Sequence, residues 1–435
     1  MAKKISLPLH KAIASRVQGE EPVNGIRLLT FPTSIKDAVF ITGSLLGGAL
    51  YSPKEAPMAA GLVAAMLDEG TKKHTKEEIR EMLESLGAHV EFTIDTYRVR
   101  FSVHCLKKDA GKVLELLAEQ LRQPRFSARD LAVVKKRIAA TLEESKEETR
   151  TQAQIRLLQT LYPKNHPNYR YDPATAILLV QKTTRADIVR FHKEAYGLGN
   201  MLICVAGDVD ARQLGTYLKK AFGGWKKSPL AFFPTTLRSR TLGSQEDVIP
   251  IPDKTSVDVY TGGGTGIDSK HPSYHALAMG LNILGGGGIF LSRLMKIVRE
   301  KKGLTYGIRA GLAGSGNAAD GYWFIWGTFA PTLLAKGKEA LMLELTTLVK
   351  KGISAEELVT HKQAITGAYW VNLGSAQAMA AALLVNAEED RPVDYLDEYP
   401  SIINKLSLQE VDDAIKKYLN LNSVVTVSAG TIEQG

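Results

Sequence analysis

The spacing of apolar positions divides the chain into strands and helices. Ala38 to Leu45 and Ser256 to Thr261 read as strands, each followed by an apolar helix. Thr75, with Glu78 three residues on, opens a helix that ends at Gly87. His89 to Asp95 and Arg98 to His104 alternate as an antiparallel pair should, and good helix formers run from about Lys108 to Gln123. Grouped strands with long helices segregated from them predict an α+β fold rather than a doubly wound sheet.

The same signals recur at long period. Ser127, with Asp130 three residues on, introduces a lysine-rich helix; Ser354 with Glu357 introduces another, 227 residues later. Thr184 with Asp187 matches Ser407 with Glu410 at an offset of 223, and the run Asn200 to Gly207 matches Asn422 to Gly430 at 222. Three pairs in one order at nearly one offset predict a tandem duplication. The expected organisation is an N-terminal repeat over 1–227, a linker over 228–247 and a C-terminal repeat over 248–435. Each repeat is expected to be an antiparallel-rich mixed sheet covered by helices. The linker has two prolines and little periodicity.

Bulk composition agrees. A chain of 435 residues with 44% apolar residues is too long for one core. Cys105 and Cys204 are too few for a disulfide framework and read as buried thiols. The net charge of +9 invites a nucleic-acid partner, but the lysines and arginines lie among acids on helix faces, and no reader motif accompanies them. No stretch approaches the roughly 20 apolar residues of a membrane span. The visible amino terminus has two lysines and no useful apolar run, which points to the cytoplasm, or to the periplasm if a leader has been removed.

Candidate chemistry gathers in one segment. Arg299 and Tyr306 stand seven residues apart across Gly303. A guanidinium offers a fixed fork of donors for a peptide carbonyl, and a tyrosine hydroxyl can donate to a developing oxyanion. Neither can activate water, so the pair is half a site. The bland alternative makes Arg299 a helix C-terminal charge and Tyr306 a half-buried strand aromatic. The run Gly285, Gly286, Gly287, Gly288 lacks the features of a phosphate loop and reads as a closely packed or flexible turn. His271 and His275 are four apart, but Pro272 follows the first and no acid stands beside them, so a helix start is expected.

The duplicated halves, the stretch Leu284 to Leu294 and the segment Arg299 to Tyr306 together resemble the pitrilysin-type metallopeptidases, the inverzincins. That family includes mitochondrial processing peptidase and paired bacterial relatives. The family carries zinc on an inverted His-x-x-Glu-His helix, with a later glutamate as third ligand. Here the histidine positions hold Gly61 and Ala65, the catalytic glutamate position holds Ala64, and the third-ligand position falls near Thr141, with Glu143 and Glu144 close by. No metal is therefore expected on this chain. The resemblance implies a non-catalytic subunit that encloses half of a peptide chamber. It would bind extended peptide through Arg299 and Gly285 to Gly288, and donate Arg299 and Tyr306 to zinc chemistry on a homologous His-x-x-Glu-His partner. A homodimer of this chain would be inactive. The alternatives are a scaffold, like the core subunits of the respiratory bc1 complex, and a stand-alone peptide-binding module using a sheet edge.

Overall fold

The computed structural model describes residues 12–286, 291–316 and 319–432. Its strands are β1 (Gln18–Val23), β2 (Ile26–Pro32), β3 (Ala38–Leu46), β4 (His89–Ile94), β5 (Arg98–Leu106), β6 (Met201–Gly207), β7 (Gln245–Pro250), β8 (Val257–Gly264), β9 (Gly307–Ala313), β10 (Tyr322–Phe329) and β11 (Val425–Gly430). They form two sheets, one in the order β1-β2-β6-β3-β5-β4 and the other β7-β11-β8-β10-β9. With many helices besides, the fold is α+β.

The duplication is visible strand by strand. In the first sheet β2 runs parallel to β6, and the remaining neighbours from β6 through β3 and β5 to β4 are antiparallel. In the second, β7 runs parallel to β11, and β11, β8, β10 and β9 follow in the same antiparallel sequence. Strand β1 is an extra antiparallel neighbour of β2. Even the strand ends correspond. Gly207 closes β6 at φ 134°, where a Cβ would sit 2.4 Å from the Ala38 carbonyl oxygen; Gly430 closes β11 at φ 143°, 2.7 Å from that of Ser256. Only glycine tolerates that conformation and that approach.

The helix starts repeat as well. The Thr184 and Ser407 hydroxyls accept the N–H of Asp187 and Glu410, whose carboxylates accept the N–H of Thr184 and Ser407 in return. Thr75 and Glu78 form the same reciprocal box. Each such cap satisfies donors that the first turn leaves without helical acceptors. Between the halves, residues 228–244 form neither helix nor strand, and Gln245 to Asp247 open β7 against Val425 to Val427.

The chain folds into two compact units that exchange segments of sequence. One takes in the described residues up to Val134, with Thr183–Phe232 and Tyr369–Ser401; the other takes in Lys135–Lys182, Phe233–Ala368 and the described residues from Ile402 onward. In the first unit the late helix Ala376–Glu388 covers the sheet, packing Met379, Leu383 and Leu384 on Leu29, Phe31 and Ala206. Arg100 Nε reaches Glu388 Oε1 of that helix at 3.0 Å. In the second unit the early helix Thr149–Leu161 packs Ala153, Leu157 and Leu161 on Tyr260, Phe324 and Val427. Full burial of each leucine contributes about 1.5–3 kcal/mol. Cys105 and Cys204 are free and buried; burial pushes the Cys105 thiol up to about 12 and that of Cys204 higher still, so neither is a ready nucleophile. No single helix among the described residues is long and apolar enough to cross a membrane.

Candidate functional site

The second unit brings the end of one helix against the outermost strand of its sheet. Helix Tyr274–Gly285 is apolar nearly all round and ends at the glycine run. A Cβ on Gly285 would lie 2.5 Å from the Ala310 nitrogen of β9, and one on Gly286 would lie 2.6 Å from the Asn282 Cα. Gly285 therefore lets helix and strand backbones touch, and Gly286 lets the chain fold back closely on the last turn of its own helix. Gly287 and Gly288 lie outside the described residues. The helix end is held from the other side, where Asn282 Oδ1 lies 2.7 Å from Nδ1 of buried His361.

The segment after the glycines is also pinned. Arg293 grips Glu357 through two bonds of 2.7 Å and donates to the Gly352 carbonyl at 2.9 Å. Burial would raise the Glu357 carboxyl, but the guanidinium and the Ser354 cap outweigh it and hold it below its ordinary value. The chain then winds through a wide turn, Met295–Lys301, with i to i+5 spacing: the Lys302 N–H donates to the Ile297 carbonyl at 3.0 Å. Arg299 sits on this turn, partly exposed. Gly303, at φ 61°, turns the backbone out of it.

Thr305 and Tyr306 then part company. Thr305 is buried, with its hydroxyl on the Thr328 carbonyl and 3.0 Å from that of Gly307, and it accepts the Gly307 N–H at 3.1 Å. Tyr306 is 95% exposed. It is not the half-buried strand aromatic of the bland reading. Its hydroxyl is presented to solvent as a hydrogen-bond donor.

Tyr306 stands at the mouth of a groove of about 540 Å³. Gly285, Gly286 and Met295 line one side, Phe324 and Trp326 of β10 the other, and Tyr306 through Ala313 the length between them. Both alternating faces of β9 contribute, so the groove runs along the strand's edge. That edge faces away from β10, its sole ladder partner among the described residues. Gly307 and Gly311 leave room for the aromatic rings: a Cβ there would come within 3.0 Å of Trp326 and 3.2 Å of Phe324. Trp326 is fixed by a 2.7 Å bond from its indole nitrogen to buried Asp258. The groove thus joins Gly285, Gly286 and Tyr306, while Arg299 lies outside its lining. Arg309, in the middle of β9, had no motif to mark it; its exposed place in an otherwise small or apolar strand, Gly307 to Ala313, was the available signal.

The positions assigned by resemblance to the motif's histidines and glutamate offer no side-chain donor atoms. Gly61, Ala64 and Ala65 lie together on helix Ala59–Ala65, and a Cβ on Gly61 would meet nothing within 4 Å. Thr141 is exposed on helix Ala128–Lys146, its hydroxyl 3.3 Å from the Arg137 carbonyl. Glycine and alanine side chains cannot ligate a metal, so these residues do not fit zinc. Among the described residues no group of three His, Cys, Asp or Glu side chains could hold a metal ion. His271 accepts the Ser273 N–H at 3.1 Å just before helix Tyr274–Gly285, a helix-start role.

Comparison with known proteins agrees with this architecture. Residues 39–173 match the family described as Insulinase (Peptidase family M16), and residues 182–365 match the Peptidase M16 inactive domain. The chain belongs to peptidase family M16. It is similar to the "Non-peptidase homolog YmxG" of Helicobacter pylori, 23% identical over 393 residues, covering 88% of this chain and 87% of that protein. It also resembles subunit 1 of the mitochondrial cytochrome b-c1 complex of Bos taurus, 26% identical over 258 residues, 56% of this chain and 52% of that one. A solved peptidase M16 inactive domain from Pseudomonas fluorescens superposes with a TM-score of 0.86 at 26% identity, covering 96% of this chain and 99% of that one. The inactive-domain match and the likeness to a non-peptidase homologue support a non-catalytic M16 subunit.

Proposed function

We propose that this chain is the non-catalytic subunit of a heterodimeric zinc metallopeptidase, binding extended peptide and donating Arg299 and Tyr306 to a site on a His-x-x-Glu-His partner. The observation that carries the reading is Tyr306, fully projected from a pinned backbone at the mouth of an edge-strand groove. An extended peptide can add to the edge of β9 through main-chain hydrogen bonds, its side chains falling alternately on the two faces of the sheet. Arg299 holds a peptide carbonyl, and Tyr306 donates its hydroxyl to the oxyanion that develops during hydrolysis at the partner's centre. A donor of that kind contributes roughly 10²–10³ in rate.

Peptidase activity on a quenched fluorescent peptide tests this, using the chain, a His-x-x-Glu-His homologue from the same genome, and the two together. Activity confined to the mixture supports the divided site. The likeness to the b-c1 subunit favours a second reading, a structural role. That reading predicts a mixture no faster than the homologue by itself.

A further inference from the structure

The aromatic side of β9 carries two arginines without acidic partners among the described residues. Arg309 projects from mid-strand with its Cζ 5.2 Å from the centre of the Phe324 ring. Arg150, at the start of helix Thr149–Leu161, places its Cζ 4.0 Å from that of Trp326. Both are exposed, and among the described residues neither has a carboxylate within ion-pair distance. The acid built into this face, Asp258, is buried and occupied by the Trp326 indole and the Thr149 hydroxyl. A guanidinium lying over an aromatic ring is held in place while its in-plane N–H groups still face outward, in the fork that fits a carboxylate.

The strand geometry makes Arg309 selective. On its face of β9 the neighbouring residues are Gly307 and Gly311, so Arg309 is the long side chain an added strand meets there. A strand paired with β9 would set every second side chain on that face, opposite or diagonal to the guanidinium. The positive field continues along the sheet: the Tyr322 hydroxyl, raised by burial, feels the opposing pull of both Arg170 and Arg309. The net charge of +9 draws acidic partners from a distance.

We infer that the peptide taken up along β9 is acidic, an extended segment with Asp or Glu at alternate positions and one carboxylate seated on Arg309. This rests on the edge-strand reading of the groove and adds its substrate class.

Three labelled extended peptides of equal length, differing only in Glu, Gln or Lys at alternate positions, separate the two claims by fluorescence anisotropy on the full chain. The Glu peptide is expected to bind roughly fivefold tighter than the Gln peptide, the effect of one partly exposed ion pair, with the Lys peptide weakest. Arg309→Glu, a surface change compatible with folding, should invert that order. Equal binding of the three peptides, or an acidic preference that survives Arg309→Glu, overturns the inference and leaves the groove reading standing. Absence of binding by any of the three overturns the groove reading and the inference with it.

Discussion

Thr305 is buried against the Thr328 carbonyl while Tyr306, the next residue, is almost wholly in water. One hydroxyl thus fixes the backbone from which the candidate oxyanion donor projects. Thr305→Val keeps the shape but leaves carbonyls without their donor, which costs about 1–2 kcal/mol. Urea denaturation should register that loss, and the mixed peptidase should slow without any change in the tyrosine itself. Unchanged stability would mean that Thr305 anchors nothing.

The duplicated strand ends make a paired prediction. Gly207→Ala and Gly430→Ala each force a Cβ against a carbonyl at positive φ, and each should destabilise by roughly 2–4 kcal/mol. Gly61→Ala is the control. Its Cβ enters open space on a helix, and the change should stabilise by about 0.5–1 kcal/mol. Denaturant midpoints of the three variants check both signs together.

Acid sensitivity should come in two steps. Burial pushes the His192 imidazole down to about 4, against the raising effect of its 2.8 Å contact with the Leu121 carbonyl. The unfolded histidine titrates near 6.5, so the unfolded chain takes up that proton first. Stability is present above about pH 6.5 and is lost between there and about 4. Asp320 contributes to the lower step, together with carboxylates such as Glu357. Burial would raise the Asp320 carboxyl, but hydrogen bonds from His166 and Ser239 outweigh that and hold it below the ordinary value. Its contribution is present above about pH 3.9 and disappears as pH falls through the folded value. Urea midpoints against pH should show His192→Gln reducing the first slope, to which buried His361 also contributes, and Asp320→Asn reducing the second. A wild-type stability flat from pH 7 to 4 would contradict the first assignment.

Much of this was legible in sequence because it is locally encoded. The Thr184 and Ser407 boxes, the alternation through His89 to His104 and the glycine closing the Asn200 run each state their structure within a few residues. The exchange of helices was not legible. The apolar face of Thr149–Leu161 says that the helix must be covered, and nothing in it says by which sheet. The groove was hidden for a related reason: that β9 is an outermost strand follows from sheet order, which pairs residues distant in sequence. Arg309 therefore looked like any surface arginine until β10 placed Phe324 beneath it. Arg299 and Tyr306 were singled out by their donor chemistry and by resemblance; Tyr306 lines the groove and Arg299 stands outside its lining.

Steady-state kinetics of the mixed pair carrying Tyr306→Phe decide whether the Tyr306 hydroxyl acts on the oxyanion. The change removes one hydroxyl from a fully exposed ring, so folding and subunit contact have no reason to suffer. A donor that acts on the oxyanion predicts a fall in kcat of roughly 10²–10³ at nearly unchanged KM. An unaltered kcat, or a rise in KM at constant kcat, would contradict it and reduce Tyr306 to a binding contact.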